Sequence, residues 1–425
     1  MSSRKTFTIV RSFVVTILLS AFAAGAVAQE PEAAPATVVV EGTVKDRASK
    51  KKLANVSVFV PGTRIGTVSN ADGSFSLKIP ADKAAAGLKA EQVGYFSSVI
   101  PLPHDQESEL TIWLRPSAKT LKELVVRSGD PRVIVEEALR KVPQNYSSEP
   151  QLYSAFYRET IQKRKRYVGI TEGMVSVYKT GYKRQNVARE RVGIRKGRRL
   201  MSQNSKDTIA VKILGGPTMP VVMDFIKNRE FLFTDKELDY YQFQLDNPTS
   251  IDDRLQFVVK FRPTVKVDYP LFEGVLYIDQ ESLAISRAEF ELDMSDKSKA
   301  TRAILRQKPT GLHFKPQEVS FVVTYRDIDG VSSINYMSSK MRFKCDWKRR
   351  LFSSGFTTYA EMVVVDREEG EVENIPRKQA FGKYDIFYDQ VDNYRDPDFW
   401  RDYNIIEPTE SLETAVEKLL KQSSI

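Results

Sequence analysis

The run Gly62-Thr63-Arg64-Ile65-Gly66-Thr67-Val68-Ser69-Asn70-Ala71-Asp72-Gly73-Ser74-Phe75-Ser76-Leu77 places a polar turn between two short apolar segments. Val56, Val58 and Val60 upstream, and Phe75, Leu77 and Ile79 downstream, recur at every second position, the period of a strand with one face in a core. Asn70-Ala71-Asp72-Gly73 collects residue types that tolerate positive φ or cap a turn through a side-chain oxygen, so a hairpin is expected there. A second hairpin-like pair is expected around residues 99–102 and 110–114. Short strands at this spacing, punctuated by Gly and Pro, predict a β-sandwich of seven or so strands over residues 37–116.

Val40-Glu41-Gly42-Thr43-Val44-Lys45-Asp46, then Leu53-Ala54-Asn55-Val56-Ser57-Val58, Pro61-Gly62-Thr63 and Gly66 to Phe75 together resemble the carboxypeptidase-regulatory-like domain. The resemblance implies a transthyretin-like or immunoglobulin-like sandwich used in binding or assembly, with no catalytic residues of its own. It also implies a setting, since in Bacteroidetes such domains open outer-membrane and periplasmic proteins, TonB-dependent receptors among them.

Residues 1–28 have the anatomy of a secretory signal: Arg4, Lys5 and Arg11, an apolar run over 13–22, and Ala26-Val27-Ala28 before Gln29. Gln29 is not the cysteine that lipoprotein anchoring needs. Export to the periplasm, peripheral to the outer membrane, is therefore expected. The formal charge is +9, and removing the three signal cations leaves +6, a modest excess. Export argues against nucleic acid as a partner and favours an envelope protein, anionic lipid or lipopolysaccharide phosphate. Cys345 is the only cysteine, so an intrachain disulfide is excluded, and a buried inert thiol is expected.

Residues 117–130 read as a linker, and Leu121-Lys122-Glu123-Leu124-Val125-Val126 superficially resembles a TonB-box tract, although an edge strand explains it as well. Asp130-Pro131 then opens a helix with Val135, Ala138, Leu139 and Val142 on one face, and Pro143 closes it. Strands are predicted over 153–161, 167–178, 255–261, 274–278, 284–292, 319–325, 333–347 and 356–365, with hairpin turns at Asp279-Gln280-Glu281-Ser282 and Asp327-Ile328-Asp329-Gly330. Leu255, Phe257, Val259 and Phe261 alternate, so one face is buried. A curved antiparallel sheet or half-barrel over 131–395, wrapped on a helix near 221–227, meets this requirement. Its order resembles the unclosed barrel of periplasmic lipoprotein carriers, Glu273 to Asp279 and Ile285 to Phe290 being the strand pair that carries the likeness. Residues 396–425 form a C-terminal segment whose helix, over 408–421, has Leu412, Ala415, Val416, Leu419 and Leu420 on one face. Phe156-Tyr157-Arg158-Glu159-Thr160 and Tyr394 to Asn404 resemble uncharacterised Bacteroidetes proteins that pair such a region with the regulatory-like domain. The chain as a whole thus reads as mainly β.

No catalytic, metal or cofactor residue is assigned. His104-Asp105-Gln106-Glu107 matches the His-x-x-Glu of a metallocarboxypeptidase, but the other histidine, His313, lies far away in the second region. Asp72-Gly73 lacks the repeated acids of a calcium loop, and Asn145-Tyr146-Ser147 is a sequon in a compartment where it carries nothing. Thirteen Lys or Arg against two acids between residues 163 and 199 are the main non-structural signal. Lys163, Arg164, Lys165, Arg166, Arg195, Lys196, Arg198 and Arg199 are the candidate contacts to an anionic surface. The competing reading is internal, because residues 361–425 carry sixteen acids against eight bases. A non-enzymatic envelope binding or assembly protein, its β-rich part binding an apolar or anionic ligand, is the expectation. A structural protein with a filled core and a carboxylate-based glycan hydrolase are the alternatives.

Overall fold

The alternating segments on either side of Asn70-Gly73 become strands, but in different sheets. The computed structural model describes residues 37–102, 109–117, 129–204, 213–305, 310–347, 353–396 and 403–423. Its N-terminal part comprises β1 (Thr37–Asp46), β2 (Ser57–Phe59), β3 (Gly66–Val68), β4 (Ser74–Pro80), β5 (Leu88–Glu91), β6 (Tyr95–Phe96), β7 (Ser98–Ile100) and β8 (Leu110–Pro116). They form two four-stranded sheets, ordered β4-β1-β8-β6 and β3-β2-β5-β7. Val44, Val56, Val58, Phe75, Leu77, Ile79, Ile112 and Leu114 fill the space between.

The Asn70-Gly73 turn is present: the Asn70 side chain accepts from the Asp72 and Ser74 amides at 2.9 and 3.0 Å, and Gly73 has φ +74°. Its flanking strands do not pair, which corrects the hairpin expectation. Phe75 turns into the sandwich core, while Val68 packs outside it against Phe156 and Met174 of the larger sheet, so the turn carries the chain across the sandwich. The second expected hairpin fails likewise, since β7 joins β5 and β8 lies parallel to β1. Within the expected linker, residues 118–128, TonB-like tract included, lie outside the described residues, as do the signal segment and His104.

Asp130 caps α1 (Pro131–Arg140), its carboxylate accepting from the Arg132 amide. Pro143 does not end the helical path; it sits in the first turn of α2 (Val142–Asn145), where a missing N–H costs nothing. The larger sheet then runs β9 (Gln151–Lys163), β10 (Arg166–Lys179), β11 (Arg191–Met201), β12 (Tyr241–Ile251), β13 (Arg254–Pro263), β14 (Phe272–Asp279), β15 (Ile285–Leu292), β16 (Leu312–Ile328), β17 (Val331–Trp347) and β18 (Ser354–Glu369). All neighbours are antiparallel, in the order β11-β10-β9-β18-β17-β16-β15-β14-β13-β12, with no pairing of β11 to β12. The sheet is therefore open.

This order has a consequence for the interior. The chain leaves β11 at one edge and must reach β12 at the other before it meanders back to β18. Residues 213–240 belong to that crossover, and α3 (Thr218–Met223) with the turns after it lies against the inner face. Phe225 meets Phe233, Phe290 and Tyr325, with ring centroids 6.2–6.4 Å apart. Phe231 meets Phe272, Phe290 and Phe321, and Phe233 meets Tyr241, Phe243 and Phe261. Edge-to-face rings of this kind fill the concavity and add stabilisation beyond their buried area.

The C-terminal segment covers both faces beside β11. Gly173 and Gly197 lie directly opposite each other on β10 and β11, and the space they leave takes Phe387 of α4 (Phe387–Gln390) and Val391. Arg395 bridges the β11 edge at Gly197. On the outer face, α5 (Glu410–Ser423) sets Leu412, Val416 and Leu419 on Ile170 and Leu200, leaving Leu420 exposed.

Candidate functional site

The sandwich and the larger sheet share a polar seam. Arg64 donates to the Arg367 carbonyl and pairs with Glu369, Arg326 donates to the Arg64 carbonyl while lying over the Phe59 ring, and Lys89 pairs with Asp252. The C-terminal segment stitches the same seam: Thr67 donates to the Ile405 carbonyl, Asn70 to the Pro408 carbonyl, and Asn404 exchanges bonds with the Lys78 backbone. Beneath it, Arg158 is buried between Glu172 (2.6 Å) and Glu361 (3.3 Å) and donates to the Ile406 carbonyl. The two β parts are thus one scaffold on which a site is held rigidly.

An open trough of about 630 Å³ lies on the outer face of β12–β16. It follows from strand alternation, because Phe243, Phe261, Phe290 and Phe321 turn inward and the residues between them turn out. Across it in strand order run Gln242 and Gln244 on β12, Lys260 and Arg262 on β13, Glu273 and Val275 on β14, Glu289 and Glu291 on β15, and Ser320 and Val322 on β16. Gln242 is opposite Arg262 and Glu273 is opposite Glu291. Like charges directly across a ladder are destabilising, with Cβ atoms roughly 4.5–5.5 Å apart. Yet neither Glu273 nor Glu291 makes an ion pair among the described residues, whereas Lys260 holds Asp246 and Glu289 holds Arg287. Arg262 is bound to the neutral Gln242 amide oxygen at 2.8 Å, although the register sets it next to Glu273. Two carboxylates and a guanidinium on neighbouring strands, with no ion pair between them among the described residues, can receive a ligand with charges of both signs.

The sequence-predicted cations separate into two groups. Lys163, Arg164, Lys165 and Arg166 form the β9–β10 hairpin tip; Arg164, in the left-handed region at φ 59°, donates its amide to the Gly355 carbonyl, and the last three side chains are exposed. The β11 group faces the chain's own atoms: Arg195 donates to Ser154, Lys196 pairs with Asp396 at 2.7 Å, Arg198 with Glu172 at 2.9 Å, and Arg199 with Asp392 at 2.5 Å while lying over Tyr388. Asp392 and Asp396 belong to the acidic C-terminal stretch.

Inside the sheet is a second polar group that sequence reasoning missed. Asp224, fully buried, accepts from Lys179, from Tyr182 at 2.9 Å and from Tyr325 at 2.7 Å. Lys227 donates to Thr180 and the Gly181 carbonyl and lies 3.6 Å from Glu190. Burial pulls the Lys227 ammonium down to about 8. For Lys179 burial acts in the same direction, but the Asp224 and Glu190 charges prevail and its pKa lies above the lysine range. These groups fix the crossover to β10 and face no solvent. Cys345 is buried, and burial pushes its thiol up to about 11, far from a thiolate nucleophile at neutral pH. His313 is exposed on β16, and no cluster of three His, Cys, Asp or Glu residues among the described ones could hold a metal ion.

Residues 40–126 match the CarboxypepD_reg-like domain. That regulatory-like domain is the sandwich described above, and the β-rich sheet follows it. No curated protein sequence matches the chain. Among solved structures, a domain assigned to outer-membrane lipoprotein sorting from Vibrio parahaemolyticus is 12% identical over 58% of this chain and 94% of its own, with a TM-score of 0.25. A DUF1329 family protein from Desulfovibrio piger is 12% identical over 56% and 94%, at 0.23. A LolA superfamily protein from Nitrosomonas europaea is 12% identical over 60% and 99%, at 0.20. Scores this low leave function to the chain's own residues. Among those described, no helix is long and apolar enough to cross a membrane.

Proposed function

We propose that this chain is a non-enzymatic binding protein of the cell envelope. In it the regulatory-like sandwich and the open sheet act as one scaffold, and the outer trough takes a polar ligand with charges of both signs. The trough carries the reading, because its volume is in the range of small-molecule sites and its opposed Glu273 and Glu291 have no cation of their own among the described residues. The signal-like segment over residues 1–28 supports an envelope location. The exposed cations of the hairpin tip suit an anionic surface there. A purely structural assembly role is the second reading, and the ring-filled interior favours it, since an apolar ligand would have to displace Phe225, Phe231 and Phe233.

Native mass spectrometry of the chain released from its own envelope tests the first reading. A retained small polar species is expected on the parent protein and should be lost from a Glu273→Gln/Glu291→Gln variant, whose changes fall on exposed side chains and leave the fold intact. A chain that emerges bare and alone overturns the binding reading. A species retained equally by the variant overturns the trough as its site.

A further inference from the structure

One end of the large sheet gathers cations that are remote in sequence. There Leu312, Phe314, Phe343, Cys345 and Phe356 form a small apolar cluster on the inner face, so strand alternation turns Lys315, Arg342, Lys344 and Gly355 outward. Lys315 stands directly opposite Lys344, and Lys344 directly opposite Gly355. Gly355 accepts the Arg164 amide at 2.8 Å, so this row ends at the exposed hairpin tip Arg164-Lys165-Arg166. From Lys315 to Arg164 it crosses three strand spacings, roughly 14 Å. Lys340 and Arg342 stand beside it and share Glu318, at 2.9 and 3.3 Å. Against these cations the same end sets two acids, Glu318 and Asp346.

Unlike the β11 group, this one is not matched by the chain's own carboxylates. Like charges directly across a ladder weaken it. Asp346 relieves Lys315 at 3.3 Å, but Lys344 makes no ion pair among the described residues, and neither do Arg164 and Lys165. Between Lys344 and Arg164, Gly355 leaves the backbone bare. A Cβ there would meet no described atom within 4 Å and φ lies outside the left-handed region, so neither crowding nor conformation calls for glycine. Cations spread along a row and onto a projecting tip suit an extended array of phosphates, and in the envelope such an array is the lipid surface. We infer that this end of the sheet is a docking face for the phosphates of an anionic lipid surface, with Arg164, Lys165 and Lys344 as its principal contacts. The inference rests on the envelope location read above and is independent of the trough. Each cation brought to such a surface is expected to raise affinity about fivefold, an effect that salt screens.

Co-sedimentation of the mature chain with phosphatidylcholine vesicles containing one-third phosphatidylglycerol reads this directly. The parent is expected to bind them, to be released as salt is raised, and to ignore vesicles of phosphatidylcholine alone. Arg164→Gln/Lys165→Gln/Lys344→Gln should bind about a hundredfold more weakly, and Gly355→Glu, whose side chain enters open space, about fivefold. Arg47→Gln/Lys51→Gln/Lys52→Gln removes the same charge from exposed positions of the sandwich and should bind as the parent does. Glu273→Gln/Glu291→Gln should bind vesicles undiminished, so failure of the trough as a ligand site leaves this result standing. Circular dichroism and thermal melting establish that each variant is folded. A parent that ignores the anionic vesicles, or an equal loss in the two triple variants, overturns the inference. Displacement of the bound parent by millimolar inorganic phosphate at constant ionic strength also overturns it, in favour of a soluble phosphate.

Discussion

Asp224→Ala is expected to lower the free energy of unfolding by about 3–5 kcal/mol, the cost of leaving a buried charge without its partner. Lys179 is itself buried, with Asp224 as its direct carboxylate partner, and the Tyr182 and Tyr325 hydroxyls donate to the same group. Removing the carboxylate therefore strands one ammonium and two phenols in the core. Lys179→Met/Asp224→Leu removes both charges and should recover most of the loss, since a buried ion pair often contributes little net of desolvation and here Lys227 and Glu190 balance each other. Urea unfolding at fixed pH of the parent, both single variants and the double variant measures this as a coupling energy. A single-variant loss below about 1 kcal/mol, the scale of an exposed pair, would mean that Asp224 is not buried against Lys179. The crossover should respond as well, with residues 218–233 losing hydrogen-exchange protection in the single variant, because Asp224 ties this stretch to β10.

That cluster also shows where sequence reading reached its limit. Apolar alternation in residues 255–261 and 319–325 and the Asp279-Ser282 and Asp327-Gly330 turns were legible, because each is a local consequence of a two-residue period or a short turn. Val221 to Lys227 read as helix, but the helix is Thr218–Met223; Asp224 and Lys227 leave it to meet charges from β10 and the β10–β11 connection, partners remote in sequence. β11 was missed because Gly193, Gly197 and five cations interrupt its apolar positions, so the stretch read as charge. The glycines in fact open space for the C-terminal segment, and two of the cations, Lys196 and Arg199, meet its acids. β12 was hidden by Asp246-Asn247-Pro248 inside it. The trough was legible only in part. Lys260, Glu289 and Glu291 occupy polar positions of predicted strands and Arg262 and Glu273 lie one residue beyond the ends of two others, but their juxtaposition depends on inter-strand register, which no single segment specifies.

Between pH 5 and 8 the folded chain should lose stability as pH rises. Glu159 is buried, and burial lifts its carboxyl to about 7 although Tyr157 donates to it at 2.6 Å. Glu91, at the seam between sandwich and sheet, is lifted to about 7 by burial and then by the Asp252 charge, against the pull of Arg326, Lys89 and Arg254. Each keeps its proton in the folded state through a range where the unfolded chain, near 4.5, has released it. The folded state thus binds more protons, and stability falls with pH from about 4.5 until the folded groups ionise near 7, by on the order of 3 kcal/mol per group. Glu190, Glu361 and Glu407, also raised by burial, act in the same direction. Glu172 acts oppositely: burial raises it, but Arg158 and Arg198 hold it below the ordinary value, so its contribution is lost only in stronger acid. Urea midpoints should therefore peak near pH 5. Glu159→Gln substitutes a neutral isostere for the protonated acid, so it should match the parent at pH 5, exceed it at pH 8 and flatten the slope between. A parent midpoint that is level or rises from pH 5 to 8, or a Glu159→Gln variant weaker than the parent at pH 8, would show that this carboxyl is ionised in the fold. Glu91→Gln should have the same sign, with an added local signature. Ionisation of Glu91 beside Asp252 strains the seam, so exchange at residues 88–91 and 250–254 should quicken above pH 7 in the parent and stay slow in the variant.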